Sequence, residues 1–424
     1  VIAKEINTYG EMLREYTVDG LIHPGFRMFT TVTGRPSSAD PPLQNFPKKS
    51  PLRKAFVSRW GENGVLVEID QSQMELRVMA SLSGDPTMRL AYCGDPETGQ
   101  KPQDLHRLTA SRVFGVPPFD APMDDSSAEE AFQSFHLETG WYIGVVPELW
   151  SGRNPKDCLL SGFLRDVQER GLSALDQWGV SEETYREVQR YFLNDKNFLY
   201  GLNLFEKKYY LGNDFVLYQR GVSKEQRDQA KTVGFGIIYG MGAKGLASQL
   251  RIPENAAEDL IQGYFRQFPK VQSYIRSVIS RVHKDKQMTS VFGRVRRLPE
   301  VDSQDPEIVA EAERQAVNFT IQSPASDITV LAYYRLCDWL RENRLKSVVW
   351  DLVHDAINLD CPMEEWVPVS RKTIALMEQP LYPWMTVPLV AEAAIGTTWK
   401  ECKEEENNVT EALKQIGIEE EAVV

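Results

Sequence analysis

Apolar residues follow two different spacings along the chain. VLVEID (65–70) is a short apolar run closed by an acid, which predicts a buried strand. SQMELRVMASLSGD (72–85) then has helical spacing with Gly84 near its end, so Asp70 falls at a strand-to-helix junction. GVSKEQRDQAKTVGFGIIYGMG (221–242) opens with Ser223 and Gln226 in capping-box spacing and predicts a helix over about 224–239, ended by Gly240 and Gly242. Helical spacing also runs through 254–284 and 304–341. In SVVWDLVHDAINLD (347–360) two apolar runs flank His354 and Asp355, which predicts a hairpin with a polar tip. The segment 31–56, rich in Pro, Ser and Gly with basic residues between them, reads as an ordered loop, with a solvated loop as the plain alternative.

Composition places this pattern in a globular chain. Its 424 residues, 42% hydrophobic and 25% charged, suffice for two or three domains. No stretch nears the roughly 18 apolar residues of a membrane span, and residues 1–20 lack a signal-peptide order, so a cytoplasmic location is expected. Five scattered cysteines without a CxxC pair read as free thiols, and five histidines without HExxH spacing leave any metal to carboxylates. The chain opens on Val1, as in a processed, trimmed or fragmentary product.

The net charge of -12 is unevenly placed: residues 404–424 carry -6 and residues 117–222 carry -7, which leaves the remainder near neutral. A basic groove for phosphates is therefore compatible with an acidic whole. The acidic, aromatic-rich stretch 117–222 reads as an inserted subdomain, and the acidic tail after Trp399 as mobile.

Candidate chemistry gathers at two places. Arg227, Lys231, Phe235 and Tyr239 recur at i+4 and share one helix face. Cations in the first turns oppose the helix dipole, so a polyphosphate is a natural partner, while an amphipathic helix with solvated basic residues is the bland alternative. Gly234 and Gly236 inside this helix suggest close approach by a ligand or another backbone. Asp70 and Asp355, at a strand end and a hairpin tip, could share two divalent ions about 3.5–4 Å apart, although either alone reads as a turn residue.

These pieces stand in the order of a known family. TGRPSSADPPLQN resembles the primer-template loop of family A DNA polymerases, DQSQMELR (70–77) their motif A, RDQAKTVGFGIIYG (227–240) motif B and VHDA (353–356) motif C. DLH (104–106), GRVRRLP (293–299) and RQAVNFTIQSPASDI (314–328) are similar as well. The family includes bacterial DNA polymerase I and many phage replicases.

The resemblance implies an α+β right-hand polymerase fold, with an antiparallel palm sheet and helical fingers carrying a large insertion. Residues 1–27 would be a thumb remnant, 28–90 palm, 91–116 fingers, 117–222 the insertion, 223–292 fingers, 293–402 palm and 403–424 an acidic tail. Asp70, Asp355 and the Gln71 carbonyl would hold two Mg²⁺ ions, with Mn²⁺ as a substitute. Arg227, Lys231 and His106 would hold the triphosphate, Lys231 as part of the catalytic set; Phe235 would pack on the nucleotide and Tyr239 near the templating base. Glu75 would exclude a ribose 2′-OH. Arg35, Gln44, Asn45, Arg294, Asn318, Gln322 and His354 would face primer or template. Taken singly, Glu75 could be an exposed helix acid, His106 a cap or core histidine, and Asn318 and Gln322 a mutually bonded pair.

Three departures stand out. Ala356 replaces the family's usual Glu, Gln71 a common Tyr, and the insertion of about 100 residues a short link, either as decoration or as a module for partner docking or strand handling. The short N-terminal segment implies a thumb, and any exonuclease, supplied by another polypeptide or an upstream segment. The partners expected are primer-template DNA and deoxynucleoside triphosphates. A single-subunit RNA polymerase and a catalytically silent DNA-binding scaffold are the alternatives; Glu75 and Phe235 speak for DNA synthesis.

Overall fold

The computed structural model describes residues 6–28, 30–47, 50–114, 118–119, 121–122, 141–145, 170, 173, 215–219, 222–379 and 382–421. They divide into two compact units: Val1–Pro102, Ile237–Gly242 and Phe265–Val424 form one, Gln103–Gly236 and Ala243–Tyr264 the other.

The first unit is built on a four-stranded antiparallel sheet. Its strands are β1 (Gly64–Gln71), β2 (Val348–Val353), β3 (Ala356–Pro362) and β4 (Ala391–Gly396), in the order β2-β3-β1-β4. The largely apolar run that marks β1 in the sequence, interrupted by Glu68, has a physical cause, since both faces of the strand are covered. Val65, Val67 and Ile69 pack beneath α6 (Pro306–Glu342) and α7 (Trp366–Glu378), with Leu336, Leu340, Val369 and Met377 in the same core. Leu66 faces the other way, among Met12, Leu43, Phe46, Val353, Trp399 and Cys402. The helix Glu11–Tyr16 of the N-terminal segment thus contributes Met12 to that second layer.

After β1, Gln73 adopts a left-handed φ of 54° and the chain enters α1 (Met74–Ser83), which Gly84 ends at φ 63° by donating to Ala80 O. Helical spacing over 254–284 resolves into two helices, α4 (Glu254–Gln267) and α5 (Pro269–Asp285). Pro269 has no N–H to continue the first and suits the first turn of the second. α6 runs 37 residues with Pro324 buried inside it, and Asp305 caps its start by accepting from Glu307 N at 2.8 Å.

The expectation of a mobile tail is corrected. Val409 N donates to Ala393 O at 2.9 Å, Ala393 N donates to Thr410 Oγ1 at 2.8 Å, and Leu413 is buried in the sheet's main core. α8 (Thr410–Glu421) follows. The glutamates dominate the composition, but a few apolar positions are enough to cover the edge strand β4, and Lys403 pairs with Glu68 of β1. Cys93, Cys337, Cys361 and Cys402 are free thiols. Among the described residues no helix is long and apolar enough to cross a membrane.

The second unit holds α2 (Leu105–Phe114), most of α3 (Lys224–Ile238), the helix Ala243–Leu250 and most of α4. Ala110, Val222 and Ala230 pack together with Phe114. Strands Ala121–Pro122, Phe215–Gln219 and Trp141–Val145 form a small antiparallel sheet in that order. The aromatic stretches expected to make the inserted stretch a docking module lie almost wholly outside the described residues.

Candidate active site

The predicted hairpin forms with His354 and Asp355 as its two-residue turn. His354 takes φ 54°, which closes the turn and sets Asp355 directly before β3. Ala356 then pairs with Asp70 of β1, and Gln71 N donates to Asp355 O at 3.3 Å. The two aspartates are thereby fixed on adjacent strands by backbone pairing, with no dependence on long side chains. Asp355 Oδ1 is buried and has no hydrogen-bond partner, and the Arg35 guanidinium lies 3.6 Å from it. The Gln71 side chain points elsewhere, its Nε2 donating to Met377 O at 2.9 Å, so any metal contact from this residue would be through its main chain. Among the described residues no three His, Cys, Asp or Glu side chains cluster as a metal group. An acid pair completed by substrate oxygens suits Mg²⁺, which keeps few protein ligands.

The loop over 31–36 reaches this pair. Gly34 takes φ +82°, and a Cβ there would lie 2.6 Å from Arg294 Cζ, so only glycine lets the Arg294 guanidinium pass. Arg35 Nη2 donates to Glu75 Oε1 at 2.6 Å and lies 3.6 Å from Asp355 Oδ1. Glu75, in the first turn of α1, is only 8% exposed, which removes the reading of an ordinary surface acid. Burial pushes its carboxyl above the usual range, Arg35 opposes the rise and Asp355 adds to it.

The remaining residues expected to face primer or template are placed differently from one another. Gln44 is occupied within the fold: its Oε1 accepts from Ser38 N at 3.0 Å and its Nε2 donates to Leu352 O, which ties the loop to β2. Asn45 is exposed, and its carbonyl accepts from Tyr9 Oη at 3.1 Å. Arg294 pairs with Asp327 of α6 at 2.6 Å. Asn318 Oδ1 is buried without a partner, so the mutual bond with Gln322 is not formed; Gln322 is half-buried one turn later. His354 is exposed. Tyr239, half-buried, follows the last turn of α3 within this first unit.

In the second unit the cationic stripe of α3 is organised by a residue to which the sequence reading gave no role. Asp104 caps α2 through one oxygen, accepting from His106 N at 2.9 Å, and receives Arg227 Nε on the other at 2.6 Å. Burial raises the Asp104 carboxyl, but the Arg227 hydrogen bond and charge outweigh it and hold the group below its ordinary value. Arg227 therefore has a reward inside the unit as well as any it gains from phosphate. Lys231, one turn on, is exposed. His106 is buried and lies 5.6 Å from Phe235, ring centre to ring centre. Burial first, then the charges of Arg227 and Lys231, bring its imidazole down to about 4 against the opposing pull of Asp104. At neutral pH it is uncharged, so it can offer a phosphate a hydrogen bond but no positive charge. Gly234 is buried against Tyr264, whose ring would meet a Cβ at 3.8 Å; the close neighbour at this glycine is protein.

Comparison with known proteins shows the family. DNA polymerase family A is matched over residues 1–127 and 214–401, and the chain belongs to that family. It is 28% identical over 403 residues to the DNA polymerase of Bacillus phage SP01, which covers 90% of this chain and 32% of that protein. Thermostable DNA polymerase I of Thermus aquaticus is 28% identical over 389 residues, covering 91% of this chain and 33% of its own length. DNA polymerase I of Streptococcus pneumoniae is 28% identical over 407 residues, 95% of this chain and 34% of the relative. The chain thus spans about a third of the length of these relatives. Among solved structures, the POL domain of Pol1 from M. smegmatis, in complex with DNA primer-template and dNTP, superposes with a TM-score of 0.65 at 26% identity, covering 95% of this chain and 52% of that one.

Proposed function

We propose that the chain is the polymerising part of a DNA polymerase, adding deoxynucleotides to a primer 3′ end under the direction of a template. The observation that carries this reading is the acid pair: Asp70 at the end of β1 and Asp355 at the hairpin turn that enters the neighbouring strand β3, joined by the Gln71 N–H to Asp355 O bond. In the reaction the primer 3′-oxygen attacks the α-phosphorus of the incoming nucleotide, the bond to the β-phosphate oxygen breaks, and pyrophosphate leaves. Asp70 and Asp355, with the Gln71 carbonyl, would hold two Mg²⁺ ions, or Mn²⁺ in their place, and the ions would supply Lewis-acid charge for the transfer.

The chain's own residues bind and orient. Arg227 and Lys231 attract the triphosphate, and Lys231, exposed, is the group able to follow charge onto the leaving pyrophosphate. Neutral His106 donates a hydrogen bond beside them. Phe235 supplies an apolar surface for the nucleotide, and Tyr239 stacks near the templating base. Glu75 limits the space beside the sugar, which favours deoxyribose over ribose and DNA synthesis over RNA synthesis. Arg294, Asn45, Asn318, Gln322 and His354 meet primer or template, while Gln44 acts by holding the loop that carries Arg35.

The test is extension of a recessed primer with Mg²⁺ and deoxynucleoside triphosphates, comparing the chain with Asp355→Asn. The expected result is extension by the wild type and a loss of about a thousandfold or more in the variant. Duplex binding without turnover by the wild type would sink the enzymatic reading and favour a silent scaffold. Preferential use of ribonucleotides would favour an RNA polymerase.

A further inference from the structure

We propose that Arg35 is the positioning residue of the Glu75 sugar gate, in addition to any contact it makes with the primer. The inference rests on the polymerase reading above and adds to it the group on which sugar discrimination depends. Arg35 Nη2 donates to Glu75 Oε1 at 2.6 Å, and among the described residues this is the hydrogen bond the Glu75 carboxylate has. The same nitrogen is 3.6 Å from Asp355 Oδ1, so one guanidinium serves both the acid that borders the sugar and an acid of the metal pair.

The geometry is built into the loop. Gly34 N donates to Thr31 O at 3.1 Å and Thr31 Oγ1 donates to Arg35 O at 2.8 Å, which closes a turn around the left-handed Gly34. Arg294 fills the space over that glycine and is anchored in turn to Asp327 of α6. Arg35 therefore reaches Glu75 from a fixed backbone, across 40 residues of sequence. A carboxylate gate works by where its oxygens stand. Glu75 and Asp355 are like charges near one another, and without the guanidinium the Glu75 carboxylate would lose the hydrogen bond that fixes where its oxygens stand. The room beside the 2′-carbon would then be less sharply defined, and ribonucleotides would enter more readily.

The experiment measures single-nucleotide incorporation of matched deoxy- and ribonucleotides at saturating primer-template, which removes primer affinity from the comparison. Wild type, Arg35→Gln, Glu75→Gln, the double variant and Arg35→Lys are compared. Arg35→Gln is expected to lower the deoxy-to-ribo ratio of kcat/KM by about tenfold or more, chiefly through a lower KM for the ribonucleotide. The double variant is expected to lose no more of the ratio than Glu75→Gln alone, and Arg35→Lys, which keeps the charge, to retain part of it. If Arg35→Gln slows both sugars by the same factor, or abolishes both, the residue is only a primer contact or a fold element and the proposal is overturned. If losses in the double variant multiply, the two residues act independently and it is again overturned. A wild type that incorporates neither sugar overturns the polymerase reading itself, a result distinct from both.

Discussion

Ala356 stands 3% exposed between Asp355 and the core residue Ile357, in register with Asp70. On the other side of Asp70 the register brings Glu392 of β4, so the row across the sheet is Ala356, Asp70, Glu392. The acid pair thus keeps a carboxylate on one flank and a methyl on the other. Ala356→Glu would bury a third acid beside Asp70 and Asp355. The expected outcome is a changed ratio of Mn²⁺- to Mg²⁺-supported extension together with a stability loss of about 1–3 kcal/mol, read by urea denaturation. An unchanged rate, metal profile and midpoint would show that the position is indifferent. Asp351, two strands from Asp70 and 1% exposed, makes a pH prediction. Burial pushes its carboxyl up to about 7, against the Leu352 N–H and the charge of Arg53. Because the folded value lies above the unfolded one, the folded state holds the proton more tightly. That contribution is fully present below about pH 4 and is lost as pH rises to about 7, at up to roughly 1.4 kcal/mol per pH unit. Asp351→Asn should flatten this slope and be the more stable form at pH 8; equal slopes for the two proteins would refute it. Asp70, Asp355, Glu75 and the α3 cations could be read from the sequence because each lies in a local pattern. Asp104, though inside the DLH match, and Glu392 could not be given roles from the sequence, since their meaning comes from Arg227, 123 positions from Asp104, and from a strand pairing that closes only in the folded sheet.

At the scale of an element, α3 was the most legible part of the chain. Both halves of its capping box form: Gln226 N donates to Ser223 Oγ at 3.2 Å, and Ser223 N donates to Gln226 Oε1 at 2.9 Å. The other end closes at Gly240, with φ +76° and its N–H on Ile237 O. The two ends should respond differently to alanine. Ser223→Ala removes one cap bond at an exposed site, about 1 kcal/mol. Gly240→Ala forces a side chain into the left-handed region and brings its Cβ to 2.7 Å from Arg314 Cγ, too near the backbone end of that side chain for an easy escape. A loss of about 1–3 kcal/mol is expected there, larger than at Ser223. Thermal melts of the two variants decide the order, and a larger loss at Ser223 would contradict this account of the helix ends. Spacing alone showed helical pattern through 254–284 without marking where one helix ends; the chemistry of Pro269 divides it in two.

Over the whole molecule, composition misled at the C-terminus, because an average over acidic residues hides where the few apolar ones stand. Cys402 and Leu413 are buried, in the two cores on opposite faces of the sheet, and Thr410 exchanges hydrogen bonds with Ala393 on the edge strand β4. That strand pairs with β1 from Leu66 through Gln71, so the tail covers the outer edge of the strand next to the one that carries Asp70. An uncovered edge leaves N–H and C=O groups without partners and weakens the register that sets the acid. Two changes separate coverage from charge. Leu413→Ala should cost about 2–4 kcal/mol, as for a large core residue cut to a methyl. Replacing the exposed Glu406 and Glu411 by Gln should move stability by less than about 0.5 kcal/mol. Removing residues 404–424 should lower the denaturation midpoint at least as far as Leu413→Ala and reduce primer extension, with the deficit growing on warming as β4 loosens. Full stability and full extension after that removal would mean that the tail is an appendage, and that the edge of the sheet holds Asp70 in place without it.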